Sequence, residues 1–108
     1  MAQINLTYKN KEYNLTFTRL IVRQMEQQGF DLQAIDRKPM TMIPMLWEGA
    51  FLAHHPKMKR DLKDEIYKSI SDKRGLIGAL GELYFDTLNT LMDDAPENEG
   101  NATWEVRR

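Results

Sequence analysis

The chain contains no cysteine among its 108 residues. This absence excludes disulfide bonds, thiolate nucleophiles and zinc sites built on cysteine. A surplus of charge of either sign is missing as well, because 15 basic residues nearly balance 16 acidic ones and leave a formal net charge of −1. The net charge therefore produces no overall positive electrostatic potential that would attract nucleic acid or an anionic membrane, and we expect neither as a partner.

Long hydrophobic runs are also missing. The most apolar stretch, residues 40–53, is interrupted by Pro44, Glu48 and Gly49 and is too short to span a bilayer. The first five residues lack both the basic and the apolar region of a secretion signal. We therefore expect the protein to act in the cytoplasm.

Length and patterning predict one small, mainly helical domain. Residues 1–92 hold nearly all the periodic apolar positions, whereas residues 93–108 are polar and predict a disordered tail. Residues 3–17 alternate between apolar and polar side chains around a polar segment at Asn10, which is typical of a β-hairpin with one apolar side. Such a hairpin is marginal alone, so its apolar side must pack on helices or on another chain.

The first two of about four predicted helices are bounded by capping residues and prolines. Thr18 is a suitable N-cap for a helix that ends before Gly29. Thr41 is expected to open the second helix, with Pro44 inside its first turn and Pro56 beyond its end. The residues predicted to be buried on the first helix are Leu20, Ile21, Val22 and Met25.

Two further helices complete the predicted domain. Residues 59–70 form a charged segment with a narrow apolar stripe, and a longer helix from Asp72 to about Met92 carries a broader one. Apolar side chains that recur every three to four positions are typical of a helix with one buried face. The stripe on the last helix consists of Leu76, Ile77, Leu80, Leu83, Tyr84, Leu88 and Leu91.

No motif is typical of catalysis or of metal binding. His54 and His55 are adjacent, so on a helix their rings point about 100° apart and suit a helix C-terminus better than a shared metal ion. Gly75, Gly78 and Gly81 lack the strand and the lysine of a phosphate-binding loop. Their spacing instead allows another backbone to approach closely, either within the chain or from a second subunit. We therefore predict a protein without enzymatic activity, cofactor or metal.

The succession of local features along the chain is distinctive. A hairpin ending in Leu15-Thr16-Phe17-Thr18 is followed by a helix that closes on Gly29-Phe30-Asp31, and then by Pro39-Met40-Thr41. The most specific part is the run Gly49-Ala50-Phe51-Leu52-Ala53-His54-His55-Pro56. In this order of features, over about residues 4–95, the chain resembles the tail assembly chaperones of long-tailed, siphovirus-type bacteriophages and prophages.

The resemblance implies a protein that binds and solubilises the tape measure protein and helps recruit the major tail protein during tail assembly. Such a chaperone acts in the cytoplasm of the bacterial host and is absent from the mature virion. Many weakly bound copies along one long client favour self-association, so we expect a homo-oligomer. Methionine and aromatic side chains adapt to variable partners, although they are equally typical of a core. The predicted client groove consists of Met42, Met45, Trp47 and Phe51.

Two alternatives stay open. A structural head–tail or tail component would remain in the finished particle. A small helical DNA-binding regulator would use the basic segment between Lys57 and Arg74. That segment lacks interleaved aromatic residues that stack on bases, and the helix after it is apolar where a recognition helix needs polar residues. A charged, solvated helix is the favoured interpretation of this segment.

Overall fold

The computed structural model describes residues 3–92 and 102–107. Within these residues, a two-stranded antiparallel hairpin precedes four α-helices, which confirms the predicted small, mainly helical domain with an N-terminal hairpin. The elements are β1 (Ile4–Tyr8), β2 (Lys11–Leu15), α1 (Arg19–Gln27), a 3₁₀ turn (Leu32–Ala34), α2 (Pro39–Phe51), α3 (Arg60–Ser69) and α4 (Lys73–Asn89).

The hairpin forms through a two-residue turn. Lys9 and Asn10 have positive φ angles of 48° and 65°, the left-handed backbone conformation that a tight hairpin turn requires. The register places Leu15 opposite Ile4 and Tyr13 opposite Leu6. Because opposite residues of an antiparallel pair point to the same face, the apolar side chains of both strands face the helices together.

α1 begins and ends where its sequence predicts. The hydroxyl of Thr18 accepts a hydrogen bond of 3.2 Å from the Ile21 N–H, and Gly29 terminates the helix with a φ of 97°. Leu20 is 63% exposed, so its predicted burial was wrong. Adjacent helical residues point about 100° apart, and Leu20 therefore faces solvent while Ile21 faces the core. The buried residues of α1 are Ile21, Val22 and Met25.

α2 begins at Pro39, two residues before the predicted start at Thr41. Pro39 occupies the first helical position, where its fixed φ suits the helix and its missing N–H has no helical partner to lose. Pro44 was predicted to lie in the first turn of the helix. It lies in the second turn, because the helix starts earlier than predicted. Its missing N–H leaves the carbonyl of Met40 without a helical donor, but Met40 is exposed and water can reach this group.

α2 lies at the centre of the domain. It contacts α1, α4, β2 and the 3₁₀ turn, and Leu46, Ala50 and Phe51 are fully shielded from solvent. Burial of each large apolar side chain contributes roughly 1.5–3 kcal/mol. Gly49 permits the close approach of α1, since a Cβ atom there would lie only 2.6 Å from Sδ of Met25. The other elements are therefore arranged around α2.

α3 and α4 each bury only part of their apolar stripe. Ile66 of α3 and Leu80 and Tyr84 of α4 are in the core. Asp72 caps α4 by accepting a hydrogen bond of 3.0 Å from the Gly75 N–H, as its predicted position implies. Leu91 lies beyond the end of α4 at Asn89 and is exposed, so its predicted burial was wrong.

The segment after α4 is described only in part. Residues 102–107 are exposed and form neither helix nor strand. Of the predicted disordered tail, residues 93–101 and 108 lie outside the described residues. No helix in the described part of the chain is both long and apolar enough to cross a bilayer.

Candidate functional site

The predicted client groove lies inside the core. Met42, Trp47 and Phe51 expose only 6%, 2% and 0% of their surface, and Met45 is half-buried. The hairpin, α1 and α4 cover α2 from several sides, whereas the sequence predicted that these four residues would form a client groove. The four residues therefore do not form an open groove in this structure, and Met45 is the one that a partner can most readily reach.

Trp47 and Phe51 have structural partners. Nε1 of Trp47 donates a hydrogen bond of 3.0 Å to the carbonyl of Lys63, and the Trp47 and Phe51 ring centroids are 4.8 Å apart at 83°. The ammonium group of Lys63 lies 5.7 Å from the Phe51 ring centroid. This edge-to-face pair with its cation joins α2 to α3.

His55 links the end of α2 to the hairpin. Its Nε2 accepts a hydrogen bond of 3.2 Å from the N–H of Asn14, which requires an unprotonated nitrogen. The pKa of His55 is lowered from 6.5, first by burial and then by the charges of His54 and Lys11. His55 lies just past the C-terminus of α2, as predicted, and its backbone N–H donates to the carbonyl of Phe51 at 2.7 Å, but its ring has a strand N–H as its partner. Across the described residues, no group of three His, Asp or Glu side chains is placed to hold a metal ion.

The three glycines of α4 do not mark a close internal contact. A Cβ atom at Gly78 would meet nothing within 4 Å, and one at Gly81 would lie 3.7 Å from Cδ1 of Leu32, an ordinary contact distance. At Gly75 a Cβ atom would collide with the capping carboxylate of Asp72. Gly78 and Gly81 line an open depression, so their small size leaves space on the surface of α4.

An open apolar groove runs along this face of α4. Two adjoining hollows of about 550 and 490 Å³ lie between α4 and the segment around the 3₁₀ turn, and both are lined by Leu32 and Phe85. Phe85 is 53% exposed where the two hollows meet. We name this surface the α4 groove. Its large apolar lining residues are Phe30, Leu32, Ile35, Ile77, Phe85 and Leu88.

The rim of the α4 groove is acidic. Five carboxylates line the two hollows, and the residues that line these hollows include no Lys or Arg. The salt bridges of the described residues involve Glu48, Glu65 and Glu105 instead. Burial, followed by the charges of two rim residues, raises the pKa of Tyr84 in the groove wall from 10.0 to about 12. The rim residues are Glu26, Asp31, Asp36, Glu82 and Asp86.

The charge changes at the end of the groove near α1. A third hollow of about 230 Å³ continues past Leu88 and is lined by Arg19 and Arg23 as well as by Glu26. Arg19 donates hydrogen bonds to the hydroxyl of Thr90 at 2.8 Å and to its carbonyl at 2.6 Å. These bonds tie α1 to the end of α4, so one of the two arginines serves the fold.

Several basic side chains of the segment between residues 57 and 74 make contacts within the domain. Arg60 pairs with Glu48 at 2.9 Å, Lys63 is buried, and Lys73 donates to the carbonyl of Ile70 at 2.8 Å. These three side chains make internal contacts, which leaves fewer basic groups of this segment to follow a nucleic-acid backbone.

Phe85 is the groove residue that the sequence interpretation missed. It lies about 100° from Tyr84 on the helix and was therefore left out of the predicted buried stripe. It shares a face with Gly81 and Gly78, which precede it by four and seven positions. A large aromatic side chain on the face that carries two glycines was the available signal, because a glycine-rich face leaves room beside it.

Comparison with known proteins identifies the family. The family described as Domain of unknown function (DUF5055) matches residues 1–107, and the chain belongs to this family. No curated protein and no solved structure matches the chain.

Proposed function

We propose that this member of the DUF5055 family is a non-enzymatic tail assembly chaperone of siphovirus-type bacteriophages or prophages. In this role it binds and solubilises the tape measure protein and helps recruit the major tail protein. The proposal draws on the resemblance over about residues 4–95 and is carried by one structural observation, the open α4 groove. A chaperone for a long helical chain needs accessible apolar surface, and a groove of this kind supplies it.

The dimensions of the α4 groove suit a helical segment. Between Ile77 and Leu88, α4 rises about 17 Å, which corresponds to about three turns of a helix lying alongside it. Helices bound in grooves insert apolar side chains at positions i, i+3 or i+4, and i+7. The two hollows on either side of Phe85 can receive successive side chains of such a ridge.

The hairpin offers a surface for self-association. The N–H of Asn14 points away from β1 towards His55, so Asn5, which pairs with Asn14, directs its own N–H and carbonyl to the outer edge of β1. Among the described residues, β1 pairs only with β2. Addition of a second copy at this free edge would produce the proposed homo-oligomer, and several copies would then hold one client more tightly than one.

A matched pair of variants tests the use of the α4 groove. The protein is co-expressed with the tape measure protein from its own genome, either unchanged or as Phe85→Glu or Leu20→Glu. Both substitutions place a carboxylate on an exposed apolar position, but Leu20 lies on α1 outside the groove. We expect Phe85→Glu to abolish co-purification and Leu20→Glu to preserve it, with unchanged circular dichroism for both. Undiminished co-purification of a folded Phe85→Glu protein would contradict the proposal.

Virion composition separates the chaperone from a structural component. A chaperone acts in the host cytoplasm and is released before the particle is complete. Mass spectrometry of purified virions should therefore detect the major tail protein and the tape measure protein without this chain. Stoichiometric recovery of this chain from virions would favour the head–tail or tail component instead.

A further inference from the structure

Glu82 and Asp86 stand one helical turn apart on the α4 wall of the groove. Like charges at i and i+4 repel each other and weaken a helix. The ion pairs in residues 3–92 and 102–107 include neither of these carboxylates. No Lys or Arg in the described part of the chain forms an ion pair with them, and a cation placed between them would lessen their repulsion.

Carboxylates also line the opposite wall. Asp31 and Asp36 flank the 3₁₀ turn, so a helix lying in the groove would have negative charge on both of its sides. The charge reaches the apolar wall as well, because Glu26 and Asp31 add to the effect of burial in raising the pKa of Tyr84. The chain as a whole has a formal charge of only −1, so this concentration is a local feature of the groove.

We infer that the occupant of the α4 groove is a basic amphipathic helix, with a ridge of Leu or Phe flanked on both sides by Lys or Arg. This inference rests on the proposed function and deepens it by naming the chemistry of the client segment. Lysine and arginine can lay their aliphatic stems along the apolar walls while their charged ends reach the rim carboxylates. Charge of this kind selects partners as well as attracting them, since an acidic helix would be repelled.

Two synthetic helical peptides test the inference directly. They share one apolar ridge and differ only in their flanking residues, which are Lys in one and Glu in the other. Fluorescence anisotropy with the full chain at low salt should show that the Lys-flanked peptide binds at least about tenfold more tightly. Its affinity should fall as salt is raised, because the contacts at the rim are solvent-exposed and screened.

Charge-neutralising variants assign the effect to the rim. The double variant Glu82→Gln with Asp86→Asn should weaken binding of the Lys-flanked peptide by about three- to tenfold. The control, Asp61→Asn with Asp64→Asn, removes the same charge from α3, away from the hollows that form the α4 groove. At about 0.15 M salt it should leave the affinity within about twofold, because these two carboxylates do not line the groove and the screening length is then only about 8 Å.

The outcomes separate this inference from the proposed function. Equal binding of both peptides, or equal effects of the two double variants, would overturn the inference. In either case, loss of the tape measure protein with Phe85→Glu would still support the proposed function. A different result is that neither peptide binds and that the protein forms a concentration-dependent dimer, which the substitutions Glu82→Lys and Asp86→Lys dissociate. This result would identify a second copy of this chain as the occupant. That result would also overturn the inference.

Discussion

Tyr8 donates a hydrogen bond of 2.7 Å from its hydroxyl to Oε2 of Glu65. The ammonium group of Lys9 lies 3.7 Å from the same oxygen. These contacts join the turn end of the hairpin to α3. They complement the bond between Asn14 and His55, which holds β2 to the end of α2. The hairpin is therefore held to the helical part at two separate places, which agrees with the expectation that a hairpin is not stable alone.

Removal of the Tyr8 hydroxyl is expected to raise the pKa of Glu65. This pKa is lowered from 4.5, first by the hydrogen bond from Tyr8 and then by the charge of Lys9. Because the pKa of Glu65 is lower in the folded than in the unfolded state, its ionised form stabilises the fold at pH values above the unfolded-state pKa. This contribution to the free energy of unfolding is lost as the pH falls through the folded-state pKa. NMR titration of the carboxyl carbon should show a higher pKa in Tyr8→Phe and no change in Tyr67→Phe. An unaltered Glu65 pKa in Tyr8→Phe would rule out this cause.

Acidification below pH 6.5 is expected to weaken the fold through His55. Because the pKa of His55 is lowered by burial and then by His54 and Lys11, the unfolded state takes up a proton more readily than the folded state. The stabilisation is complete above 6.5 and declines as the pH falls towards the folded value. Free energies of unfolding from urea titrations at neutral pH and at about pH 5 measure this decline.

The variant His55→Gln provides the comparison for the pH experiment. It removes the titrating ring and should flatten the pH dependence, at a cost of about 0.5–1.5 kcal/mol at neutral pH if the bond to Asn14 is not remade. His54→Gln should keep a decline on acidification, since burial is the largest cause of the His55 shift. A steep decline retained in His55→Gln would assign the effect to another group.

Two glycine-to-alanine substitutions are expected to act in opposite directions. At Gly49 the new methyl group would lie 2.6 Å from Sδ of Met25, a buried side chain, and we expect a loss of about 1–3 kcal/mol from overpacking. At Gly78 nothing lies within 4 Å, so the better helix propensity of alanine should stabilise the fold by about 0.5–1 kcal/mol. Urea unfolding of both variants measures the difference, and a destabilised Gly78→Ala would indicate a contact on this face.

Two phenylalanine substitutions distinguish the core from the groove. Phe51→Ala empties a fully buried site and should cost about 3–5 kcal/mol. Phe85→Ala, at a half-exposed position, should cost less than about 1 kcal/mol. Thermal and urea unfolding monitored by circular dichroism compare the two. A loss at Phe85 as large as that at Phe51 would mean that Phe85 serves the fold rather than a partner.

Most element boundaries follow from short-range chemistry and could be predicted. Thr18 and Asp72 cap their helices with their own side chains, and Gly29 ends α1 by adopting a positive φ. The predicted start of α2 at Thr41 is two residues too late, because Pro39 fits the first helical position. Each of these features depends on residues within one turn of the chain, so a single sequence contains the necessary information.

The position of the groove could not be predicted in the same way. Met42, Trp47 and Phe51 have the composition of an adaptable partner surface and also of a core, and packing against α1, α4 and the hairpin places them in the core. That packing depends on contacts between distant parts of the chain, such as the edge-to-face pair of Phe17 and Tyr84, whose ring centroids are 5.4 Å apart.

The sequence by itself determined the helices, the hairpin and their caps, because the atoms involved are neighbours in the chain. Only the tertiary structure decided which apolar face is left open. Leu80 and Tyr84 turn one side of α4 inward, and Phe85 then lies on the other side, between two hollows. Whether a helix face is covered depends on the mutual orientation of helices, and side chains far apart in the sequence set that orientation.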